Sequence, residues 1–244
     1  MLNYQITGQD SGFGGFLTGE ADVPRPGIVL LQEIFGVNDA MRLAAGQFAR
    51  DGFVVLVPDL YNQIRPGIEL GYSDAERDQA IGLWRSLDEP RVHHDVVASI
   101  AALRQHRACT GKIAIVGFCL GGKYALLAAN EGIVDAVVSF YPVQVLEYRD
   151  KLKKLRCPVQ VQLGDQDAHI PDEVKQVLSA ATGASSQHEY QLHTGAGHGF
   201  YNSVRRFGFH PEAAERAHKQ AVNFIKKANG HVSIDAKDFK SENG

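Results

Sequence analysis

Short runs of β-branched and aliphatic residues recur along the chain at Ile28–Leu31, Phe53–Val57, Lys112–Val116, Ala136–Phe140, Val159–Leu163 and Glu189–Leu192, each closed by turn residues. Most are apolar at consecutive positions instead of alternating, which leaves no wet face and predicts strands buried on both sides. Between them the period lengthens to that of a helix, at Asn38–Asp51, Asp74–Leu87, Val92–His106, Gly122–Glu131, Asp172–Ala181 and Pro211–Ala228. The last begins on a proline, tolerated in a first turn because its missing N–H has no intrahelical acceptor there, and Gly230 follows its end. Strands alternating with helices predict an α/β fold with a mostly parallel central sheet and helices on both faces. The glycine-rich stretch Gly12–Gly19 reads as an edge hairpin, and Asp235–Gly244 as a polar tail that frays. No repeat or linker divides the pattern, so a single domain over residues 1–244 is expected.

Composition narrows the possible roles. A formal net charge of −3 with no basic block excludes an electrostatic nucleic-acid surface. The start MLNYQITGQD has neither the basic residues nor the apolar core of a signal peptide, and no apolar run reaches a membrane-spanning length. The expectation is a cytoplasmic protein with no membrane or nucleic-acid partner. Three cysteines, Cys109, Cys119 and Cys157, with no CxxC spacing, fit neither a disulfide framework nor a zinc ribbon.

The segment Lys112-Ile-Ala-Ile-Val-Gly117-Phe118-Cys119-Leu120-Gly121-Gly122 runs from an apolar strand into a helical pattern. It reads as a nucleophile elbow with Cys in the usual place of Ser: small residues two before and two after let the chain turn sharply and project the side chain above a helix start. A helix N-terminus favours a negative charge, which suits a thiolate. With 3 Cys and 25 Gly in 244 residues, chance supplies roughly 0.03 such Gly-x-Cys-x-Gly matches. The competing interpretation is a buried structural Cys beside packing glycines.

On such a fold the acid and the histidine follow later strands in that order. Gly164-Asp165-Gln166-Asp167 follows Val159–Leu163, and Gly197-His198-Gly199-Phe200 follows Glu189–Leu192. Asp167 is the better acid, because Asp165 abuts the strand and suits backbone capping of the turn. His198 lies among glycines, as a ligand-facing loop places it; a satisfied core histidine is the alternative. A metal reading of His93, His94, His169, His193 and His198 lacks helical ligand spacing, so no metal is expected.

The stretches Gln32-Glu33-Ile34-Phe35-Gly36-Val37-Asn38, Val57-Pro58-Asp59-Leu60-Tyr61, Gly117 to Gly122, Gly164 to Asp167 and Gly197 to Phe200 together resemble the dienelactone hydrolase (carboxymethylenebutenolidase) family over nearly the whole length. The resemblance implies an α/β-hydrolase fold, a Cys119–Asp167–His198 triad, an oxyanion hole from the backbone N–H groups of Ile34 and Leu120, and no cofactor. It further implies Glu33 as resting partner of the thiol, Arg77 as a contact for a substrate carboxylate, and Phe35, Trp84, Tyr141 and Asn202 around the substrate. From the residues alone, Glu33 could hold the thiol or pair with a cation, Arg77 is a solvated helix charge, and Trp84 and Tyr141 are wall or core. The family's best-known members carry arginine four residues beyond the histidine, where this chain has Asn202, with Arg205 and Arg206 close behind. They also carry a tyrosine where this chain has Ile81. A shift away from strictly carboxylated dienelactones is therefore expected.

The function expected is acyl transfer on small esters or lactones through a thioester. A general carboxylesterase or thioesterase with the same triad is the neighbouring reading, and a non-catalytic ligand receptor on a hydrolase scaffold the distant one. By analogy the chain is a monomer.

Overall fold

The computed structural model describes residues 1–7, 12–205 and 207–230. Its eight strands form one sheet: β1 (Tyr4–Ile6), β2 (Phe13–Thr18), β3 (Arg25–Leu31), β4 (Val54–Pro58), β5 (Cys109–Phe118), β6 (Ala136–Phe140), β7 (Val159–Gly164) and β8 (Glu189–His193). Their order is β1-β2-β4-β3-β5-β6-β7-β8. From β4 to β8 every neighbour pair is parallel, while β1–β2 and β2–β4 are antiparallel.

The consecutive apolar runs behave as expected: every residue of β4, β6 and β7 is buried. Edge strand β8 has only His193 buried. The layers come from α1 (Asp39–Arg50), α2 (Asp74–Arg85), α3 (Glu89–Gln105), α4 (Leu120–Ala128), the short α5 (Val145–Tyr148), α6 (Asp172–Gly183) and α7 (Pro211–Ala228). The capping box of Ser73 and Glu76 starts α2, and Asn38 caps α1 by accepting the N–H of Met41.

The hairpin expected within Gly12–Gly19 is corrected. That stretch is the single strand β2, and its partner is Tyr4–Ile6, whose three residues are too few to register as a periodic run. The stretch Asp235–Gly244 lies outside the described residues. Among the described residues no helix is long and apolar enough to cross a membrane.

Candidate active site

Strand β5 ends at Phe118 and α4 begins at Leu120, so Cys119 alone makes the turn, at φ 55° and ψ −109°. A non-glycine residue held in this conformation costs about 1–3 kcal/mol and persists only where the surroundings dictate it. They do. The Cys119 N–H donates to Phe140 O at 3.0 Å and the Gly121 N–H to Gln32 O at 2.9 Å, bolting the turn to the strands on either side. A Cβ on Gly117 would stand 2.1 Å from Gly121 O, and one on Gly121 would stand 2.3 Å from Leu31 O. Neither position admits a side chain without moving backbone.

Beside this turn His198 Nδ1 lies 2.8 Å from Asp167 Oδ2, and the Asp167 side chain is wholly buried. The second oxygen, Oδ1, accepts the N–H of His169 at 2.8 Å, which fixes the carboxylate's orientation. Asp165 does something else: its Oδ1 accepts the N–H of Gly195 at 2.8 Å, tying the acid's loop to the histidine's loop. Burial disfavours the His198 imidazolium, but the charge of Cys119 and the hydrogen bonds to Asp167 and Cys119 outweigh it. The net effect raises His198 from 6.5 to about 10. The ring also packs edge-on against Tyr141, at 5.0 Å between centroids, and against His169, at 4.8 Å.

Cys119 acts electrostatically on His198, whereas Glu33, expected to hold the thiol, is hydrogen-bonded to other side chains. The buried Glu33 carboxylate accepts Tyr141 Oη–H at 3.3 Å and Asn202 Nδ2–H at 2.8 Å. Asn202, a neutral donor at the position four beyond His198, satisfies the carboxylate in place. Tyr61 Oη donates to Ile34 O at 2.7 Å, fixing the loop after β3. Among the described residues, neither the Ile34 nor the Leu120 N–H has a protein acceptor in the hydrogen-bond network.

Two further expectations change. Arg77 is exposed and pairs with Asp74 at 3.3 Å, one helical turn back, as a solvated helix charge. Phe35 is buried in a small satellite core with Tyr61, Ile68, Leu70 and Ala80, packed T-shaped on Tyr72. Trp84 lines a separate cavity of about 300 Å³ with Leu87, Glu89, Tyr124 and Gln144. Among the described residues no group of three His, Cys, Asp or Glu side chains is arranged to hold a metal ion.

Arg205 is the residue whose position the sequence did not convey. Its guanidinium lies 5.8 Å from the centre of the Tyr72 ring, and Nη1 donates to His198 O at 3.4 Å. It has no carboxylate partner among the described residues, and its charge is felt by Tyr72, Tyr141 and His169. Arg206 lies outside the described residues. The other cysteines are insulated: burial raises Cys109, and burial pushes the Cys157 thiol up to about 12.

The sequence model of the dienelactone hydrolase family matches residues 13–229. The chain is 33% identical over 214 residues to the carboxymethylenebutenolidase of Pseudomonas putida, covering 87% of this chain and 90% of that protein. Among solved structures it resembles a dienelactone hydrolase-like promiscuous phosphotriesterase from metagenomic libraries, with a TM-score of 0.74, 22% identity, and coverage of 92% and 96%. It also resembles the dienelactone hydrolase of Anabaena variabilis, with a TM-score of 0.66, 18% identity, and coverage of 92% and 95%. At these identities the structural likeness is one of fold.

Proposed function

The chain belongs to the dienelactone hydrolase family, and from that premise we propose that it hydrolyses small lactones and enol or aryl esters through a Cys119 thioester. The observation that carries the reading is the run of contacts from Asp167 through His198 to Cys119 at a positive-φ strand-to-helix turn.

In this reading the Cys119 thiolate attacks the carbonyl carbon, and the negative oxygen that forms is held by the N–H groups of Ile34 and Leu120. Collapse breaks the C–O bond, and the His198 imidazolium protonates the departing oxygen. A water deprotonated by His198 then attacks the thioester and expels the thiolate, returning the proton to the imidazole. Asp167 keeps the ring oriented and stabilises its charged form. An amide would fail at the first collapse, because a thiolate leaves more readily than an amine anion, so esters and lactones fit and peptides do not.

Arg205 supports a second element of the reading. A guanidinium beside His198 with no carboxylate partner among the described residues is a partner for a substrate carboxylate, offered from three residues beyond Asn202. Carboxylated lactones therefore remain substrates despite Asn202.

The test is hydrolysis of 4-nitrophenyl acetate and of a simple enol lactone by wild type and by Cys119→Ala, with trapping of the acyl-enzyme by mass spectrometry. Cys119-dependent turnover and an acyl adduct on Cys119 are expected. Equal turnover by the Cys119→Ala variant would sink the reading.

A further inference from the structure

Tyr72 lies in the irregular stretch between β4 and α2, a single amide away from Glu33. Its phenolic oxygen is 3.0 Å from Asn38 Nδ2 and 2.7 Å from Asn202 Nδ2. Both amides have their orientation fixed by other bonds. Asn38 Nδ2 also donates to Leu70 O at 2.9 Å, while its Oδ1 accepts the Met41 N–H at 3.4 Å. Asn202 Nδ2 also donates to Glu33 Oε2 at 2.8 Å, while its Oδ1 accepts the Val204 N–H at 3.1 Å. Each amide nitrogen has two hydrogens, and each sends one of them to the same phenol.

A tyrosine hydroxyl has acceptor capacity for about two hydrogen bonds and one proton to give. At Tyr72 the acceptor side is filled by the two amides, and the proton has no acceptor in the hydrogen-bond network of the described residues. Burial and the negative charge of Glu33 keep that proton on the oxygen, holding the phenol above its ordinary range. Tyr72 is only partly buried, with Phe35 packed on its ring at 4.6 Å and the Arg205 guanidinium 5.8 Å from the ring centre. The hydroxyl is therefore preset as a donor on the wall that Glu33, Asn202 and Arg205 share.

We propose that Tyr72 is a specificity-determining hydrogen-bond donor of this site, its O–H taken by an oxygen acceptor that the substrate carries away from the scissile bond. The inference rests on the hydrolytic reading above and deepens it: the preferred ester or lactone bears a second carbonyl or carboxylate oxygen. An ammonium group there, which has no lone pair to accept with, would meet a donor and gain nothing from it.

The experiment uses three 4-nitrophenyl esters: the butyrate, with no second acceptor; the methyl succinate, with a neutral one; and the hydrogen succinate, with a charged one. Each succinate is read as its kcat/KM ratio to butyrate within one preparation, so a loss of folded protein cancels. In Tyr72→Phe both ratios fall about tenfold, the usual consequence of deleting one donor from a partly dry site. In Arg205→Gln the hydrogen succinate ratio falls and the methyl succinate ratio does not. If Tyr72→Phe fails to fold, Asn38→Asp keeps ring and hydroxyl but offers the phenol an acceptor, and lowers both ratios by drawing the proton to itself. Succinate ratios within twofold of wild type in Tyr72→Phe and Asn38→Asp, with butyrate turnover intact, overturn this inference alone. No Cys119-dependent turnover of any of the three overturns the chemistry and this inference with it.

Discussion

Two carboxylate–imidazole pairs in this molecule are nearly equal in hydrogen-bond length, one through Nδ1 of its ring and the other through Nε2. Asp167 reaches His198 at 2.8 Å, and Asp51 reaches His218 at 2.7 Å. Each imidazole has a third partner, Cys119 for His198 and the Tyr201 hydroxyl, at 2.6 Å, for His218. The settings differ. The Asp167 side chain is 0% exposed and that of Asp51 is 38% exposed. Tyr201 is pushed well above its ordinary range by burial and by Asp51, and its hydroxyl is also engaged by Gln47 at 2.8 Å. Its backbone has no positive φ, whereas Cys119 sits at a strained turn beside amides that no protein group occupies among the described residues. The Asp51 chain borders a cavity of about 370 Å³ shared with Arg50, Phe209 and Glu215. An acid–imidazole pair is thus a general fastening, and what singles out the His198 pair for the proposed chemistry is the group it faces and the backbone around that group.

The widest separation between the two comes from the third partner. Cys119→Ala and His198→Ala each lower kcat by about 10⁴–10⁶-fold, and combining them adds little, because members of such a unit fail together. Tyr201→Phe lowers it by no more than about threefold. An equal collapse in Tyr201→Phe would erase the distinction.

Next come the acids, assayed with the same ester: Asp167→Asn costs about 10³–10⁴-fold in kcat. Asp51→Asn and Asp165→Asn cost only a few-fold, since one pairs with an imidazole that faces a phenol and the other accepts a backbone amide.

A finer contrast is in titration. His198 is raised from 6.5 to about 10, with Cys119 the largest contribution favouring its charge. The folded state therefore holds this proton more tightly than the unfolded chain. The stability it contributes is complete below about 6.5 and lost as pH rises through about 10. NMR of the ring protons is expected to show His198 titrating well above 6.5 in wild type and lower in Cys119→Ala. An unchanged titration in the variant would show that the sulfur does not act on it.

Smallest is a stability effect at the other pair. Tyr201→Phe removes the hydroxyl that ties the His198 loop to α1 and α7, costing about 1–2 kcal/mol in denaturant unfolding. A variant as stable as wild type would mean that the fastening carries no weight.

Most of the sheet is legible as sequence because buried parallel strands leave uninterrupted apolar runs, so Ala136–Phe140 and Val159–Leu163 coincide with β6 and β7 within a residue. The elbow is legible because its glycines are forced by backbone contact. What stays hidden depends on irregular chain paths. Tyr72 occupies no periodic segment, and nothing local reports that Asn38 and Asn202 converge on it. Gly199 reads only as one of the glycines of a ligand-facing loop around His198, yet its φ is 75° and a Cβ there would lie 2.1 Å from Arg205 Nη1. Its missing side chain is the space into which the guanidinium folds, a relation that only the path of residues 199–205 discloses. The proposed role of the Ile34 and Leu120 amides comes from family resemblance alone, since backbone donors leave no mark on residue type.

The insulation of Cys109 and Cys157 has a consequence for bookkeeping at the bench. Burial holds the Cys109 thiol above the ordinary thiol range and the Cys157 thiol up at about 12, so neither offers much thiolate at neutral pH. With Cys119 as the proposed nucleophile, a mild alkylating reagent applied to native protein near neutral pH is expected to consume one fast equivalent per competent molecule, and three once the chain is denatured. The ratio of the two counts gives the fraction of any preparation with an intact elbow, so the protein supplies its own internal standard with no cysteine removed.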